Sequence, residues 1–572
     1  MDRNTLIRWA VIAVVMGVFW KFVLPRFNGS SDKPQAIPEE VYVNAPDFAN
    51  DVLDPASSAN DKALAAAVPE ETCKIVGPRF DALLSTRGAA LTHFYLRDAQ
   101  YAGVTGFDMS TTPDHERWRS LRTLFRGEGA NDNVKYDRFN WKLTRLPNDS
   151  GCEFTYEDEL VRIKKTVAKG ERPFELAVDT ELTNLASEAK KHQFQIGTFA
   201  FRRNKEVKGN LGRVSPFLTD LACAADKEVT RKPKDAFRDG WFTMPGANRF
   251  AAVNNYYFSQ ALMPIGDAPA CSILAEEWVS RGQTADSDDA GAVYHAKLVY
   301  PPKTLEPKAT ATYKQLTFFG PKERDVLARA AGGAPGLGDV IDLGFFSPVA
   351  KVLVGVLVAF HKTLGNWGLS IILMTICLKI ALLPLTWKSI KSMVGMRKLK
   401  PEIDEINKKF EGDAQAKNLA MLELWRKHGV NPISGCLPQL VQMPVWFAMY
   451  TTLQTAVEMY HEKFLWFQDL SAPDRFYILP LVLGAFMIVQ QKIVPQQPGM
   501  DPMQQKMMMY MMPIVFTVMM LFLPAALGVY MLTNSVLGIV QQLVVEQIAP
   551  RSGGGGDKPN TREIVVKEVS SV

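Results

Sequence analysis

The sequence predicts a polytopic α-helical membrane protein with six transmembrane helices and a large antiparallel β-sandwich domain outside the cytoplasm. Apolar residues make up 47% of the 572 residues, and they concentrate at the two ends of the chain. The region from about Asn28 to Asp342 instead has the composition of a soluble protein. Lysines and arginines are distributed unequally between the loops, and this inequality sets the predicted orientation in the membrane.

The first predicted transmembrane helix is the apolar run from Leu6 to Leu24, with Trp9 and Trp20 as interface anchors. The run resembles a signal peptide, but no small-x-small cleavage pattern follows it. We therefore predict an uncleaved anchor over residues 1–27. Residues 28–70 are rich in Pro, Ser, Ala and Asp without sustained periodicity, which indicates a linker.

Residues 71–342 are predicted to form the β domain. Short alternating segments such as Phe174–Val178 and Val293–Tyr300, broken by Gly, Pro and Asn, are typical of strands in an antiparallel sandwich. The histidines of this region are scattered, and no paired carboxylates, zinc-ligand spacing or nucleophile motif stands out. The domain by itself therefore indicates no chemistry.

Four of the six cysteines lie in this domain. They are Cys73, Cys152, Cys223 and Cys271. Four cysteines allow three full pairings, so the sequence leaves the connectivity open. One or two disulfides and buried free thiols remain alternatives, depending on whether the domain lies outside the cytoplasm.

Residues 343–364 follow a Gly- and Ala-rich joint and contain the uninterrupted apolar run Val352–Phe360. This run is too short to cross a bilayer. We predict an interfacial amphipathic helix here, leading into a five-helix core over residues 365–547.

The first core helix carries one cation, Lys379, in an otherwise uncharged run from Asn366 to Trp387. The part from Gly368 to Pro384 is about 25 Å long, close to the hydrocarbon thickness of a bilayer. A charge near the bilayer centre costs about 2.5–3.5 kcal/mol, so Lys379 needs water or a partner. The alternative is that its stem reaches the interface by snorkelling.

Four later apolar runs complete the core. They are Leu437–Val457, Phe476–Val494, Met507–Leu523 and Leu527–Val545. None of these runs contains an Asp or Glu that could neutralise Lys379, but they do carry amide and hydroxyl side chains. These are Gln439, Gln442, Thr451, Gln454, Thr517, Asn534 and Gln541. An unpaired cation among such groups indicates a hydrated, positively charged groove.

Residues 388–431 are predicted to form an amphipathic helical hairpin in water, whose second helix places Leu419, Leu422 and Trp425 on its apolar face. The stretch contains ten lysines and arginines, whereas the loop Glu458–Arg475 contains two. The hairpin is thus predicted to be cytoplasmic and the loop external. Counting spans places the β domain outside, and the N-terminus and the tail 548–572 inside.

Composition also excludes several classes of function. The formal net charge is +5, and no basic patch is interleaved with aromatic residues, so we expect no nucleic-acid specificity. No phosphate-binding loop motif is present. We expect no enzyme activity, catalytic residue, cofactor or metal. A secondary transporter and an envelope protein that binds glycans or peptides through its β domain remain the alternatives.

Several sequence motifs resemble the YidC membrane-protein insertases (YidC/Oxa/Alb family) in their long Gram-negative form, and the resemblance covers nearly the whole chain. In the core they are Gly365–Thr375, Pro384–Thr386, Val430–Tyr450, Tyr477–Pro480 and Asp501–Lys506, and in the β domain Ser85–Leu96 and Phe318–Glu323. The resemblance implies six transmembrane helices, a periplasmic β-super-sandwich domain and a multi-pass position in the bacterial inner membrane.

The resemblance also implies a groove that is open to the cytoplasm and to lipid and that receives the polar tails of substrate proteins. We assign the groove to Lys379, Thr375, Gln439, Gln442, Asn534, Tyr530 and Met531. Of these, Lys379, Thr375 and Met531 match groove positions of the family. The family usually has arginine where this chain has Lys379. A hydrophobic slide for substrate helices is assigned to Met443, Trp446, Met508, Met511 and Met512. Ordinary packing is the alternative for these methionines.

The partners implied are nascent and newly synthesised membrane proteins, the Sec translocon, membrane lipids and, weakly or transiently, the ribosome. The ribosome is expected to bind weakly because the tail is nearly balanced in charge. It lacks the long basic extension that some relatives use to hold ribosomes.

Overall fold

The structure is a computed structural model. It describes residues 69–102, 107–112, 118–126, 133–134, 136, 139–208, 215–226, 228–238, 240–279, 284–333, 336–387, 389, 399–410, 413–428, 437–493 and 507–548. The predicted anchor 1–27, nearly all of the linker and the tail lie outside these residues. The chain divides into two compact units. The first comprises the chain up to Val354 with Ala448–Pro473 and Phe522–Ala526, and the second comprises the remainder.

The first unit contains three antiparallel sheets. A four-stranded sheet has the order β1-β2-β3-β4, and a nine-stranded sheet has the order β13-β12-β15-β16-β20-β10-β9-β8-β7. A seven-stranded sheet has the order β14-β17-β18-β11-β5-β6, with β19 paired to β11. The strands are β1 Thr72–Val76, β2 Phe80–Ser85, β3 Ala90–Leu96, β4 Phe107–Asp108, β5 Arg122–Arg126, β6 Asn133–Val134, β7 Lys142–Arg145, β8 Gly151–Glu157, β9 Val161–Lys169, β10 Glu175–Asn184, β11 Lys190–Arg203, β12 Asp220–Ala225, β13 Glu228–Pro233, β14 Phe242–Met244, β15 Asn248–Asn254, β16 Phe258–Ile265, β17 Ala270–Trp278, β18 Gly291–Val299, β19 Lys303–Leu305 and β20 Thr310–Pro321.

The two larger sheets share one hydrophobic core. Across it, the Thr198 hydroxyl of β11 donates a hydrogen bond of 2.8 Å to the Gln260 side-chain oxygen of β16. The strand Val293–Tyr300 was predicted to alternate, but β18 is buried at nearly every position because it is covered on both faces. The predicted antiparallel β domain is confirmed.

The four cysteines of this domain form two disulfides, Cys73–Cys152 and Cys223–Cys271. The first joins β1 to β8, and the second joins β12 of the nine-stranded sheet to β17 of the seven-stranded sheet. Each native disulfide of this kind contributes about 2–5 kcal/mol by restricting the unfolded chain. This resolves the pairing that the sequence left open.

His192 gives the β domain a predicted sensitivity to acid. Its ring is buried on β11, and Nε2 lies 2.7 Å from the Tyr313 hydroxyl, while Nδ1 has no hydrogen-bond partner among the described residues. Burial, and secondarily the charge of Lys303, lowers the pKa of His192 to about 4. The unfolded chain, with an ordinary histidine pKa of about 6.5, then takes up this proton first as the pH falls. Stability should therefore decrease between about pH 6.5 and pH 4.

We expect this histidine to account for about 3 kcal/mol of the acid destabilisation of the β domain. Thermal unfolding of the protein at pH 7 and pH 4.5 should show a smaller decrease in melting temperature for His192→Gln than for the parent. Glutamine has no proton to gain in this range. An unchanged decrease in the variant would rule out His192 as the titrating group.

The helices are mostly located in the second unit. Three short ones lie in the β domain, and three, α4, α8 and α11, begin in one unit and end in the other. They are α1 Ala99–Ala102, α2 Asn204–Val207, α3 Arg324–Arg329, α4 Ser347–Leu364, α5 Trp367–Ala381, α6 Lys400–Lys409, α7 Ala414–Lys427, α8 Leu437–Gln454, α9 Ile478–Ile493, α10 Met512–Met520 and α11 Ala525–Ile548. A π-helical turn, Met507–Met511, precedes α10. The five apolar core runs are thus helical, as predicted.

Two of the described helices are long and apolar enough to cross a membrane by length and composition alone, Ser347–Leu364 and Ala525–Val544. Shorter apolar helices are Trp367–Ala381, Ile478–Ile493 and Met509–Met520. Helix α4 extends beyond the apolar run Val352–Phe360 on both sides. Its interfacial position stays a prediction.

The predicted hairpin is formed by α6 and α7, within the part of residues 388–431 that the structure describes. Asp413 caps α7 by accepting hydrogen bonds from the backbone N–H groups of Gln415 and Ala416. Its small core contains Leu399, Ile403, Met421 and Leu424. Leu419 and Leu422 are instead 63% and 57% exposed. Trp425 packs against this core, as predicted, so the prediction for the apolar face of α7 was wrong for Leu419 and Leu422.

Candidate functional site

Lys379 lies in the last turn of α5 and is half-buried. Its ammonium faces Gly538 of α11, where an added Cβ atom would lie 3.7 Å from Lys379 Nζ and 3.2 Å from Gln490 Nε2. The missing side chain at Gly538 therefore leaves the space that the Lys379 and Gln490 head groups occupy. No carboxylate forms a salt bridge with Lys379 among the residues that the structure describes.

Helix α11 carries a polar stripe formed by Tyr530, Asn534, Gly538 and Gln541. These residues recur every three or four positions, so they share one face of the helix. The buried Tyr530 hydroxyl accepts a hydrogen bond of 3.2 Å from Gln442 Nε2 of α8. The polar stripe therefore meets an amide from α8 at Tyr530 and the Lys379 ammonium at Gly538.

Gln541, at the C-terminal end of the polar stripe, also has a side-chain hydrogen-bond partner. Gln541 Nε2 donates a hydrogen bond to the Thr386 hydroxyl, which lies in the helical turn that follows α5. Asn534, between the two bonded positions, is half-buried. Helices α5, α8 and α9 thus each place a polar group against α11, in a set of otherwise apolar helices. Such groups are costly in hydrocarbon and mark a functional path.

Two further predicted groove residues differ in their surroundings. Thr375 is buried, and its hydroxyl donates a hydrogen bond of 2.7 Å to the Ile371 carbonyl of the same helix. The Thr375 hydroxyl therefore has its hydrogen-bond acceptor within α5. Met531 is half-buried beside Tyr530 on α11. The side chain of Gln439 lies outside the described set, so its groove assignment stays a prediction.

The residues assigned to the hydrophobic slide are largely exposed. Met443 of α8 and Met511 and Met512 before and in α10 are 42%, 50% and 44% exposed, whereas Trp446 is half-buried. The side chain of Met508 lies outside the described set. Neighbouring apolar residues of α10 are exposed as well. Apolar surface of this kind fits contact with lipid or with other apolar helices.

Three residues in or beside the polar stripe were not predicted as site residues, namely Gln490, Gly538 and Thr386. Gln490 could have been found, because the pair Gln490 and Gln491 interrupts an apolar run. Gly538 gives no polar signal in the sequence. Its only indication is its position four residues after Asn534.

The two parts of the chain match two family models. Residues 72–356 match the model described as the YidC periplasmic domain, and residues 359–552 match the model described as the 60Kd inner membrane protein. The membrane protein insertase YidC of Anaeromyxobacter dehalogenans (strain 2CP-C) is 32% identical over 573 residues, covering 97% of this chain and 99% of its own. That of Geotalea daltonii is 32% identical over 562 residues, covering 96% and 100%.

A solved structure, an active YidC insertase with its first transmembrane domain resolved, matches with 16% identity and a TM-score of 0.35, over 93% of this chain and 97% of that one. The β domain and the apolar helices, with the two family models and the insertase relatives, define an inner-membrane protein that carries a periplasmic domain. The chain belongs to the YidC family of membrane protein insertases, a family that does not consist of enzymes. The resemblance seen in the sequence motifs is confirmed.

Proposed function

We propose that this insertase receives the polar tail of an incoming membrane protein in a hydrated groove and releases the hydrophobic helix into lipid. The observation that supports this most strongly is the polar stripe of α11 facing Lys379, with no described carboxylate to pair the ammonium. A cation in such a place needs water or a transient anionic partner. Acidic residues of a passing tail supply that partner.

Hydrophobic partitioning of the substrate helix provides the driving force. Each central Leu, Ile, Val or Phe gains about 0.3–0.6 kcal/mol on entering lipid, and roughly twenty such residues offset the transfer of a short polar tail. The groove lowers the barrier because water, amides and hydroxyls replace hydrocarbon around the tail. The sequence has no nucleotide-binding motif that would supply another source of energy.

Within this mechanism Lys379 acts through its charge and not through a fixed bidentate hydrogen-bonding geometry. An ammonium is a compact, hydrated point charge, whereas guanidinium binds a carboxylate in two-pronged geometry. Gln442 offers an amide to the tail, and its hydrogen bond to the buried Tyr530 hydroxyl holds that amide in place. The exposed methionines Met443, Met511 and Met512 provide an adaptable surface for the substrate helix. The test compares acidic and neutral tails in variants of Lys379.

We further propose six transmembrane helices, with both termini in the cytoplasm. The unequal distribution of lysine and arginine between the hairpin and the loop Glu458–Arg475 supports this orientation. Cooperation with the Sec translocon and weak contact with the ribosome are part of the same proposal. A secondary transporter is disfavoured, because it needs paired intramembrane charges.

Single cysteines test the orientation directly. Glu423 on α7 and Gln468 in the external loop are both exposed, so each accepts a reporter cysteine without disturbing packing. In a Cys377→Ser, Cys436→Ser background, where the four remaining cysteines are disulfide-bonded, Glu423→Cys should react with a membrane-impermeant thiol reagent only after the membrane is opened. Gln468→Cys should react in intact spheroplasts. Labelling of both from the same side would contradict the proposed span count.

A further inference from the structure

The segment that follows α8 is built into the β domain. Within the first unit, Val457 is fully buried and belongs to the hydrophobic core of the sheets. The ring of Tyr460 lies 5.3 Å from the ring of Tyr257 and 6.1 Å from that of Phe258. It also stacks at 6.2 Å on Tyr101. The loop between α8 and α9 therefore contributes its own residues to the core of a domain that precedes it by more than a hundred residues.

An ion pair fixes this segment. The Glu458 carboxylate accepts a hydrogen bond of 2.7 Å from Arg324 Nη1 and another of 3.1 Å from the Arg324 backbone N–H. Arg324 Nη2 also lies 3.4 Å from the Thr452 carbonyl oxygen, in the last turn of α8. The two charged side chains are only 15% and 16% exposed. Arg324 therefore binds the loop and the negative end of the α8 dipole together.

The surroundings hold both partners in place. Gln100 donates hydrogen bonds of 2.9 Å to the Tyr460 carbonyl and 3.3 Å to the Glu458 carbonyl, and its own carbonyl oxygen lies 2.9 Å from Nδ1 of His461. Glu323, the residue before Arg324, is bound by Arg79 at 2.6 Å and by the Tyr101 hydroxyl at 3.0 Å. The backbone that carries Arg324 is thus fixed from the β-domain side.

We propose that Arg324 and Glu458 form a clasp by which the periplasmic domain holds the outer end of α8 for insertion. Gln442, whose groove role rests on the proposed function, lies earlier on the same helix. Between Gln442 and the clasp, Pro444 removes one backbone hydrogen bond from α8, so the helix has less internal restraint at that point. The outer anchor supplies the missing restraint. Arg324 and Glu458 are positioning residues and do not touch substrate.

Accessibility of Val457 measures the clasp independently of activity. Val457→Cys is placed in the Cys377→Ser, Cys436→Ser background, and its rate of modification by a soluble thiol reagent is measured in the membrane-embedded protein. Arg324→Glu and Glu458→Arg each break the buried, hydrogen-bonded charge pair and place two like charges together. Each should raise this rate by at least about tenfold. The double exchange should return it most of the way. Rapid modification of Val457→Cys when Arg324 and Glu458 are unchanged would show that the segment is not anchored.

Insertion is then measured in the same variants, with Glu458→Gln as a milder change that keeps the shape of the side chain. The single reversals should lower insertion of acidic-tailed and neutral-tailed substrates to the same extent, and the double exchange should restore both. Two charge reversals outside the clasp serve as matched controls and should have no effect. They are Arg329→Glu, at an exposed position of α3, and Glu462→Arg, at a glutamate that pairs with no described cation.

The outcomes separate the clasp from the groove mechanism. Faster Val457→Cys modification with unchanged insertion would overturn the positioning role, whatever the variants of Lys379 do. Loss restricted to acidic tails would assign Arg324 and Glu458 to the charge mechanism and also overturn the clasp. A failure of the Lys379 variants to distinguish tails would leave the clasp result standing.

Discussion

Replacing Lys379 with glutamate should lower the insertion of substrates with acidic tails by roughly 30-fold while leaving uncharged tails nearly unaffected. Two unit charges about 8 Å apart at an effective dielectric of about 40 interact by about 1 kcal/mol, so reversing one sign changes the energy by about 2 kcal/mol. The lack of a carboxylate partner for Lys379 in the described chain means that no compensating ion pair is broken. The effect therefore reports on the tail.

Two control variants separate this mechanism from its alternative. Lys379→Arg should retain insertion, because both side chains remain charged in water. Under the snorkelling alternative, Lys379→Leu should change nothing or improve stability, because it removes a costly charge. Protease protection of tail-charge variants should be measured in cells depleted of the native protein, at equal expression. Equal rates for acidic and neutral tails in Lys379→Glu would contradict the electrostatic mechanism.

Filling the space opposite Lys379 should also impair insertion strongly. Gly538 leaves the gap that the Lys379 ammonium and the Gln490 amide occupy, at 3.7 Å and 3.2 Å from an added Cβ atom. A leucine there must displace both head groups, and overpacking of this kind costs about 1–3 kcal/mol. We expect Gly538→Leu to lower insertion by about tenfold for acidic and neutral tails alike, since it removes space and not charge.

A size series and a surface control make the result specific. Gly538→Ala should be nearly neutral, because its nearest neighbour is the flexible end of Gln490. Val540→Leu enlarges a side chain on the same helix where it is 50% exposed. Normal insertion by Gly538→Leu at equal protein level would show that this gap is not part of the substrate path.

Much of the architecture was predictable because it follows from local patterns. The alternation of β strands and the apolar runs of the core each specify one element from residues close together in the chain. Lys379 was predictable for the same reason, since one cation in an apolar run is visible without any tertiary information. Its lack of a described carboxylate partner follows from the absence of acidic residues in the apolar runs.

The remaining features depend on pairings that no local pattern encodes. The disulfide connectivity follows from which strands become neighbours, and Arg324 meets Glu458 across 134 positions of sequence. Helix α7 carries leucines on two faces, so periodicity alone did not decide that Met421 and Leu424, and not Leu419 and Leu422, are buried. Gly538 matters because the absence of a side chain leaves space for the Lys379 and Gln490 head groups, and a hydropathy pattern does not show such a space.

Site-specific photo-crosslinking from α11 tests the groove most directly. A photoreactive residue replaces Asn534, on the polar stripe, or Val540, which is half-exposed on a different part of the helix surface. Nascent chains are stalled at two lengths, so that either the acidic tail or the hydrophobic helix that follows it lies within reach of the photoreactive residue. The account predicts that position 534 crosslinks to the polar tail, and that position 540 does not. Equal crosslinking of the tail from both positions, or of the hydrophobic helix alone from position 534, would contradict a polar groove along this face of α11.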